Sequence, residues 1–313
     1  MNLLKSPDKN IQIYRGKLFK SISADNIHNH LTPISKVIVF DLDETIGSFG
    51  DLYILWMAIL SEKEVPHLFD EFVDIYPEFF RYGIFPILDF LQHKKNLGEC
   101  SKICIYTNNQ CQHLKWVHMI CDYLNTKMNK DNPKIHLFDR IICAFKINNK
   151  IVELDRTTHD KTIGDFIKCT LLPKKTEICF IDDTLYENML NDRVYYIKPK
   201  MYQHNLSTDE IIERFMDSEI IKKMGLNRSI ESKLYDFFVS NNAYHKSKYI
   251  TQTKIDTDIM VSQKIMYHLK DFFLLSSRKN PLKKTRKIKL NIGRFTRKKH
   301  LRDDKIDVHK ENK

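Results

Sequence analysis

Asp41 and Asp43, one residue apart, open the segment Asp41-Leu42-Asp43-Glu44-Thr45. Where a chain leaves a strand and begins to turn, alternate carboxylates can face a single crevice and divide the work of hydrolysis. One acid can coordinate a metal and attack as a nucleophile. The other can exchange a proton with the leaving group. A second acidic pair, Asp182-Asp183, follows another apolar run and would complete a metal site. Carboxylates and water suit Mg²⁺, a hard cation that prefers oxygen. A phosphate also needs donors and positive charge. Thr107 supplies a hydroxyl, and Lys161, at a predicted helix N-terminus, supplies an ammonium.

These residues need elements to position them. Lys36-Val37-Ile38-Val39-Phe40, Lys102-Ile103-Cys104-Ile105-Tyr106 and Glu177-Ile178-Cys179-Phe180-Ile181 are short, bounded and apolar, so each predicts a buried strand. Residues 194–197 predict a fourth. Helical spacing is expected over 52–61, 85–93, 110–128 and 162–170. Asn148-Asn149, between 140–147 and 150–154, signals a hairpin. Alternating strands and helices imply an α/β fold with a parallel sheet, whose ligand site lies beyond the carboxyl ends of the strands. Asp41, Thr107 and Asp182-Asp183 all fall at such ends. After Pro199 only helical patterns follow, and Ser207 with Glu210 has capping-box spacing.

This ordered set resembles the haloacid dehalogenase (HAD) superfamily of phosphohydrolases. Asp41-x-Asp43-x-Thr45, Thr107, Lys161 and Asp182-Asp183 each stand at the expected element end. Within that superfamily, the Asp-Leu-Asp-Glu-Thr form of the first motif is similar to the NLI-interacting-factor-like, or RNA polymerase II C-terminal-domain (CTD), phosphatases. Arg81-Tyr82-Gly83 with Phe90-Leu91 is similar to that family's R-P-G…F-L element, Tyr82 replacing proline. Gly47-Ser48-Phe49 departs from the histidine and serine commonly found there. The resemblance covers about residues 34 to 200. The Lys/Ile/Asn-rich composition is also similar to homologues in large DNA viruses.

The resemblance implies a HAD-like Rossmannoid sheet with a small β-hairpin insertion. It implies Asp41 as the nucleophile and Asp43 as general acid and base, with the Asp43 backbone carbonyl on Mg²⁺. Thr107 and Lys161 would hold the phosphoryl oxygens. Asp182 or Asp183 would ligate the metal with Asp41, and Thr45 and Asn108 are candidate substrate contacts. The implied organisation is a leader arm (1–33), a phosphatase domain (34–200), a helical extension (201–275) and a disordered basic tail (276–313).

Several other chemistries are excluded. Among eight glycines there is no G-x-G fingerprint, no P-loop and no G-x-S-x-G elbow. Residues 1–9 lack the apolar run of a secretory signal, and the longest apolar stretch, 52–60, is too short to span a bilayer. Seven scattered cysteines fit reduced thiols better than a disulfide framework, and no C-x-x-C supports zinc. The expectation is a cytoplasmic or nuclear protein, neither secreted nor membrane-bound. The net charge of +11 resides in residues 278–300, where eleven basic residues stand without an acid. That segment could bind nucleic acid or another acidic partner, or act only as a solubilising tail. A phosphoprotein substrate is the first expectation. The alternatives are a phosphatase of nucleic-acid ends or nucleotides, and a non-catalytic nucleic-acid-binding or scaffold protein on the same fold.

Overall fold

The computed structural model describes residues 8–19, 35–111, 115–129, 136–173, 175–246 and 252–277. Its centre is a six-stranded sheet. In chain order the strands are β1 (Ile11–Arg15), β2 (Lys36–Phe40), β3 (Lys102–Tyr106), β4 (Arg140–Ile142), β5 (Lys146–Ile147), β6 (Lys150–Ile151), β7 (Glu177–Ile181) and β8 (Val194–Pro199). The sheet runs β1-β8-β7-β2-β3-β4, and β5 pairs with β6 alone. Every neighbour in the six-stranded sheet is parallel except β1, which lies antiparallel on β8. This mostly parallel α/β sheet is compatible with a Rossmann-like fold.

Continuous apolar strands arise because both faces are covered. Along β2, Val37 and Val39 enter one core with Tyr106, Phe166, Phe180 and Tyr196. Ile38 and Phe40 enter the other, with Leu55, Trp56, Leu88 and Ile120. The second core is contributed by helices α1 (Gly50–Glu62), α2 (Phe69–Asp74), α3 (Ile84–Asn96) and α4 (Trp116–Met128). The first is closed largely by α5 (Ile163–Thr170).

Strand β2 occupies the topological switch. From it the chain proceeds to β3 and β4 on one side, then to β7 and β8 on the other. Phe40 is in register with Ile105 and with Ile181. Asp41 is therefore level with Tyr106 and Asp182, one residue from Thr107. The crevice at a switch point is where such sheets bind ligands.

The C-terminal helices are α6 (Thr208–Asp217), α7 (Glu219–Lys223), α8 (Glu231–Ser240) and α9 (Gln252–Ser277). Ser207 and Glu210 form the expected capping box. Helix α8 packs on α1, and α9 packs on β8 and α3. Buried Lys36, at the foot of β2, donates to the Phe272 and Phe273 carbonyls of α9. Strand β1 and helices α6–α9 thus belong to the same compact unit as residues 34–200. Among the described residues no helix is long and apolar enough to cross a membrane.

Three local expectations are corrected. Residues 140–147 are not one hairpin arm, because β4 joins the main sheet beside β3. The hairpin contains only β5 and β6, around Asn148 and Asn149, whose φ values of 48° and 63° suit a tight primed turn. The helix expected from residue 110 begins at Trp116, preceded by Lys115 at φ 54°. The thiols are not all reduced: Cys111 and Cys143 form a disulfide, while Cys100, Cys104, Cys121, Cys169 and Cys179 are free and buried. Pairing is possible because the neighbouring β3 and β4 deliver their following residues together, with a Cα separation of 5.7 Å. The basic segment 278–300 lies outside the described residues.

Candidate active site

Asp41 follows β2 directly, and its backbone N–H still donates to Ile181 at 2.9 Å. Beyond it the chain turns sharply at Glu44, a non-glycine residue at φ 55°. Buried Arg81 holds that turn. Its Nε donates to the Thr45 carbonyl at 2.5 Å, and its Nη2 donates to the carbonyls of Glu44 at 2.6 Å and Lys200 at 3.0 Å. The Tyr202 N–H donates to the same Glu44 carbonyl. A left-handed residue costs about 1 kcal/mol or more and persists only when its surroundings fix it. Here they do, and Asp43 and Thr45 are placed on either side of the turn.

Lys161 reaches this turn from the residue before the α5 N-cap, Thr162. Its Nζ donates to Asp41 Oδ1 at 2.5 Å and to Asp182 Oδ2 at 2.7 Å, and all three groups are buried. Burial works against the ammonium. The two carboxylates more than offset it and hold the Lys161 proton above the ordinary lysine range.

Asp183 accepts from Thr45 Oγ1 at 3.1 Å, and its own N–H donates to that hydroxyl at 3.0 Å. The second motif pair is thereby tied to the first. Carboxylate oxygens of Asp41, Asp182 and Asp183 lie within 4.8 Å of one another and could bind a metal. Asp43 stands outside that triad by its side chain, where Asn109 Nδ2 donates to its Oδ2 at 3.0 Å. Burial, then the Asp41 charge, pushes the Asp43 carboxyl up to about 6. Glu44 is pushed up to about 7 by burial and then by Asp43. Burial also raises Asp182 and Asp183. Carboxylates crowded in this way lower their energy by taking a proton or a cation.

Thr107 is buried at the end of β3, and its hydroxyl accepts the Asn109 N–H at 2.9 Å. Asn108 is exposed and donates to the Tyr186 hydroxyl at 3.0 Å. Every residue expected in the site thus lies on this edge of the sheet. Buried Arg156 was not anticipated. Its Nη1 donates to the Thr107 and Cys143 carbonyls, and its Nη2 to Asn108 Oδ1 and the His159 carbonyl. Asn109 and Tyr186 were missed as well. Asn109 adjoins Thr107 in sequence, which is a usable signal; Arg156 and Tyr186 carry none. Comparison of the chain with protein families, curated proteins and solved structures gives no match.

Proposed function

We propose that this chain is a Mg²⁺-dependent phosphatase of the HAD type, hydrolysing a phosphomonoester on a phosphoprotein through an aspartyl-phosphate. The observation that carries this reading is the Asp41–Lys161–Asp182 junction at the carboxyl ends of β2 and β7. It supports the reading because the carboxylate that would be the nucleophile and the cation that would hold the phosphate meet at the switch point of the sheet.

In the first step an Asp41 carboxylate oxygen bonds to phosphorus as the bond to the leaving oxygen breaks. Asp43, whose carboxyl sits near 6, gives its proton to that oxygen. In the second step Asp43 takes a proton from water. The water oxygen attacks phosphorus, inorganic phosphate leaves and Asp41 is restored. Lys161 and the Thr107 hydroxyl hold phosphoryl oxygens meanwhile. The donor set fits Mg²⁺, because Asp41, Asp182 and Asp183 offer hard oxygens only, and the resemblance would add the Asp43 carbonyl. When bound, Mg²⁺ supplies positive charge that offsets repulsion between the acids and the phosphate. Residues 278–300 would bind an acidic partner and take no part in the chemistry.

The test is phosphate release from phosphopeptides and from 3′-phosphorylated oligonucleotides, each with Mg²⁺ and with EDTA. Release from phosphopeptides that requires Mg²⁺ and vanishes in Asp41→Asn is expected. Release from oligonucleotides alone would move the substrate to nucleic-acid ends. Release from neither would overturn the enzymatic reading.

A further inference from the structure

A second ligand cluster lies apart from these acids. Asp51 is in the first turn of α1, His204 follows β8, and His245 follows α8. His204 Nε2 is 2.9 Å from Asp51 Oδ2, and His245 Nε2 is 3.3 Å from the same oxygen. One ligand atom from each of the three residues falls within 4.8 Å of the others. His204 is only 6% exposed, and its Nδ1 is buried without a hydrogen-bond partner. The polar engagement of that ring is therefore through Nε2, inside the cluster.

The tautomer of His245 is informative. Its Nδ1 lies 2.9 Å from the Ala243 carbonyl, which needs a donor. With the proton there, neutral His245 presents a bare lone pair at Nε2. That lone pair faces Asp51 Oδ2 and also the Leu206 carbonyl, at 3.0 Å. The lone pairs of His245 Nε2, Asp51 Oδ2 and the Leu206 carbonyl then face one another, a repulsion that a shared cation or an added proton would relieve. A histidine that donates one ring N–H to a backbone carbonyl while offering the other nitrogen is the usual arrangement around a bound metal. The spacing also fits. A tetrahedral zinc site with bonds of about 2.0 to 2.1 Å has ligand atoms about 3.3 Å apart.

We propose that Asp51, His204, His245 and the Leu206 carbonyl bind one Zn²⁺ as a structural site. Two imidazoles with a carboxylate suit zinc and disfavour Mg²⁺, which demands octahedral oxygen. The backbone carbonyl takes the fourth position and leaves no open one for substrate. The ion would fasten the start of α1, the segment after β8 and the connection after α8 at a single point. Tyr202, two residues before His204, donates to the Glu44 carbonyl. The clip would therefore steady the chain that supports the turn between Asp43 and Thr45. The rival is a proton: His245 as an imidazolium, donating to both carbonyls and paired with Asp51.

The full chain, stripped with chelator, would be titrated with Co²⁺ and followed by visible absorption. One equivalent should produce the intense bands of four-coordinate Co²⁺. One equivalent of Zn²⁺ should bleach them, and excess Mg²⁺ should not. Asp51→Asn and His245→Gln keep the size of each side chain and guard against misfolding. Each should weaken Co²⁺ binding by at least about 100-fold. A chain carrying Asp182→Asn and Asp183→Asn should keep the bands. Absence of the bands in the wild-type chain overturns the proposal in favour of the imidazolium. Bands that survive Asp51→Asn and His245→Gln, or that vanish with the Asp182 and Asp183 changes, overturn it as well.

Discussion

In the proposed mechanism Asp43 would meet two demands that conflict for an ordinary aspartate: it would carry a proton to a leaving group and then accept one from water. Its elevation to about 6 would serve both, because the protonated form then becomes accessible near neutral pH, where an ordinary aspartate is almost wholly ionised. Asn109 opposes the shift by donating to Oδ2. Asp43→Asn should lower turnover of an alkyl phosphate roughly 10²- to 10⁴-fold. An aryl phosphate, whose leaving group needs no proton, should lose much less. Steady-state rates on the two substrate types check this, and equal losses would remove Asp43 from the acid role. That the acids, Thr107 and Lys161 share one sheet edge was legible because each follows an apolar strand or precedes a helix in a parallel α/β pattern. Arg156 was not legible. Its role depends on four acceptors, the carbonyls of Thr107, Cys143 and His159 and the Asn108 side chain. Those come together only after β3 and β4 pair.

At the scale of elements, the turn after β2 leaves its backbone little room. A Cβ on Gly47 would stand 2.5 Å from the Phe79 carbonyl oxygen and 2.4 Å from the Phe49 ring. That oxygen cannot withdraw freely, since it accepts the Ser48 N–H at 2.8 Å. Gly47→Ala should destabilise the fold by about 1 to 3 kcal/mol, the usual cost of overpacking. Denaturant melts measure the loss, and a neutral result would show that the turn adapts. The same scale explains what the sequence hid. The buried strands β2, β3 and β7 are apolar runs and read directly. Strand β1 has alternating burial, and its partner β8 lies far along the chain. Nothing local distinguishes it from a packed arm. The start of α4 was misplaced because Gln110 and Cys111 look permissive for a helix, yet Cys111 is tied to Cys143 and Lys115, just before the helix, is left-handed.

For the molecule as a whole, the docking of α9 carries a pH dependence. His268 meets the Tyr195 hydroxyl at 2.9 Å, and Asp271 accepts from Arg15 at 2.6 Å and from Tyr195 at 3.0 Å. Burial, then the Arg15 charge, lowers His268 from 6.5 to about 4; Lys264 adds to the effect and Asp271 opposes it. The unfolded chain therefore binds more protons at this position between pH 6.5 and 4. The contribution to stability is complete above 6.5 and is lost as pH falls through 4. Thermal melts of the wild-type chain should fall more steeply across that window than those of His268→Gln. Parallel slopes would mean that His268 is not the titrating group.

Strand β1 has one more consequence. It covers the whole outer edge of β8, from Ile11 opposite Pro199 to Arg15 opposite Tyr195. Lys264 pairs with Asp8 just before it. An uncovered β8, Val-Tyr-Tyr-Ile-Lys-Pro, would offer unsatisfied backbone groups on a strand rich in aromatic and β-branched side chains. Such an edge recruits other chains. Deleting residues 1–19 should leave a protein that self-associates with rising concentration, seen by light scattering. A synthetic peptide of residues 8–19 should restore a single species by filling the vacant lane. A deletion variant that stays monodisperse on its own would show that β8 is guarded by something other than β1.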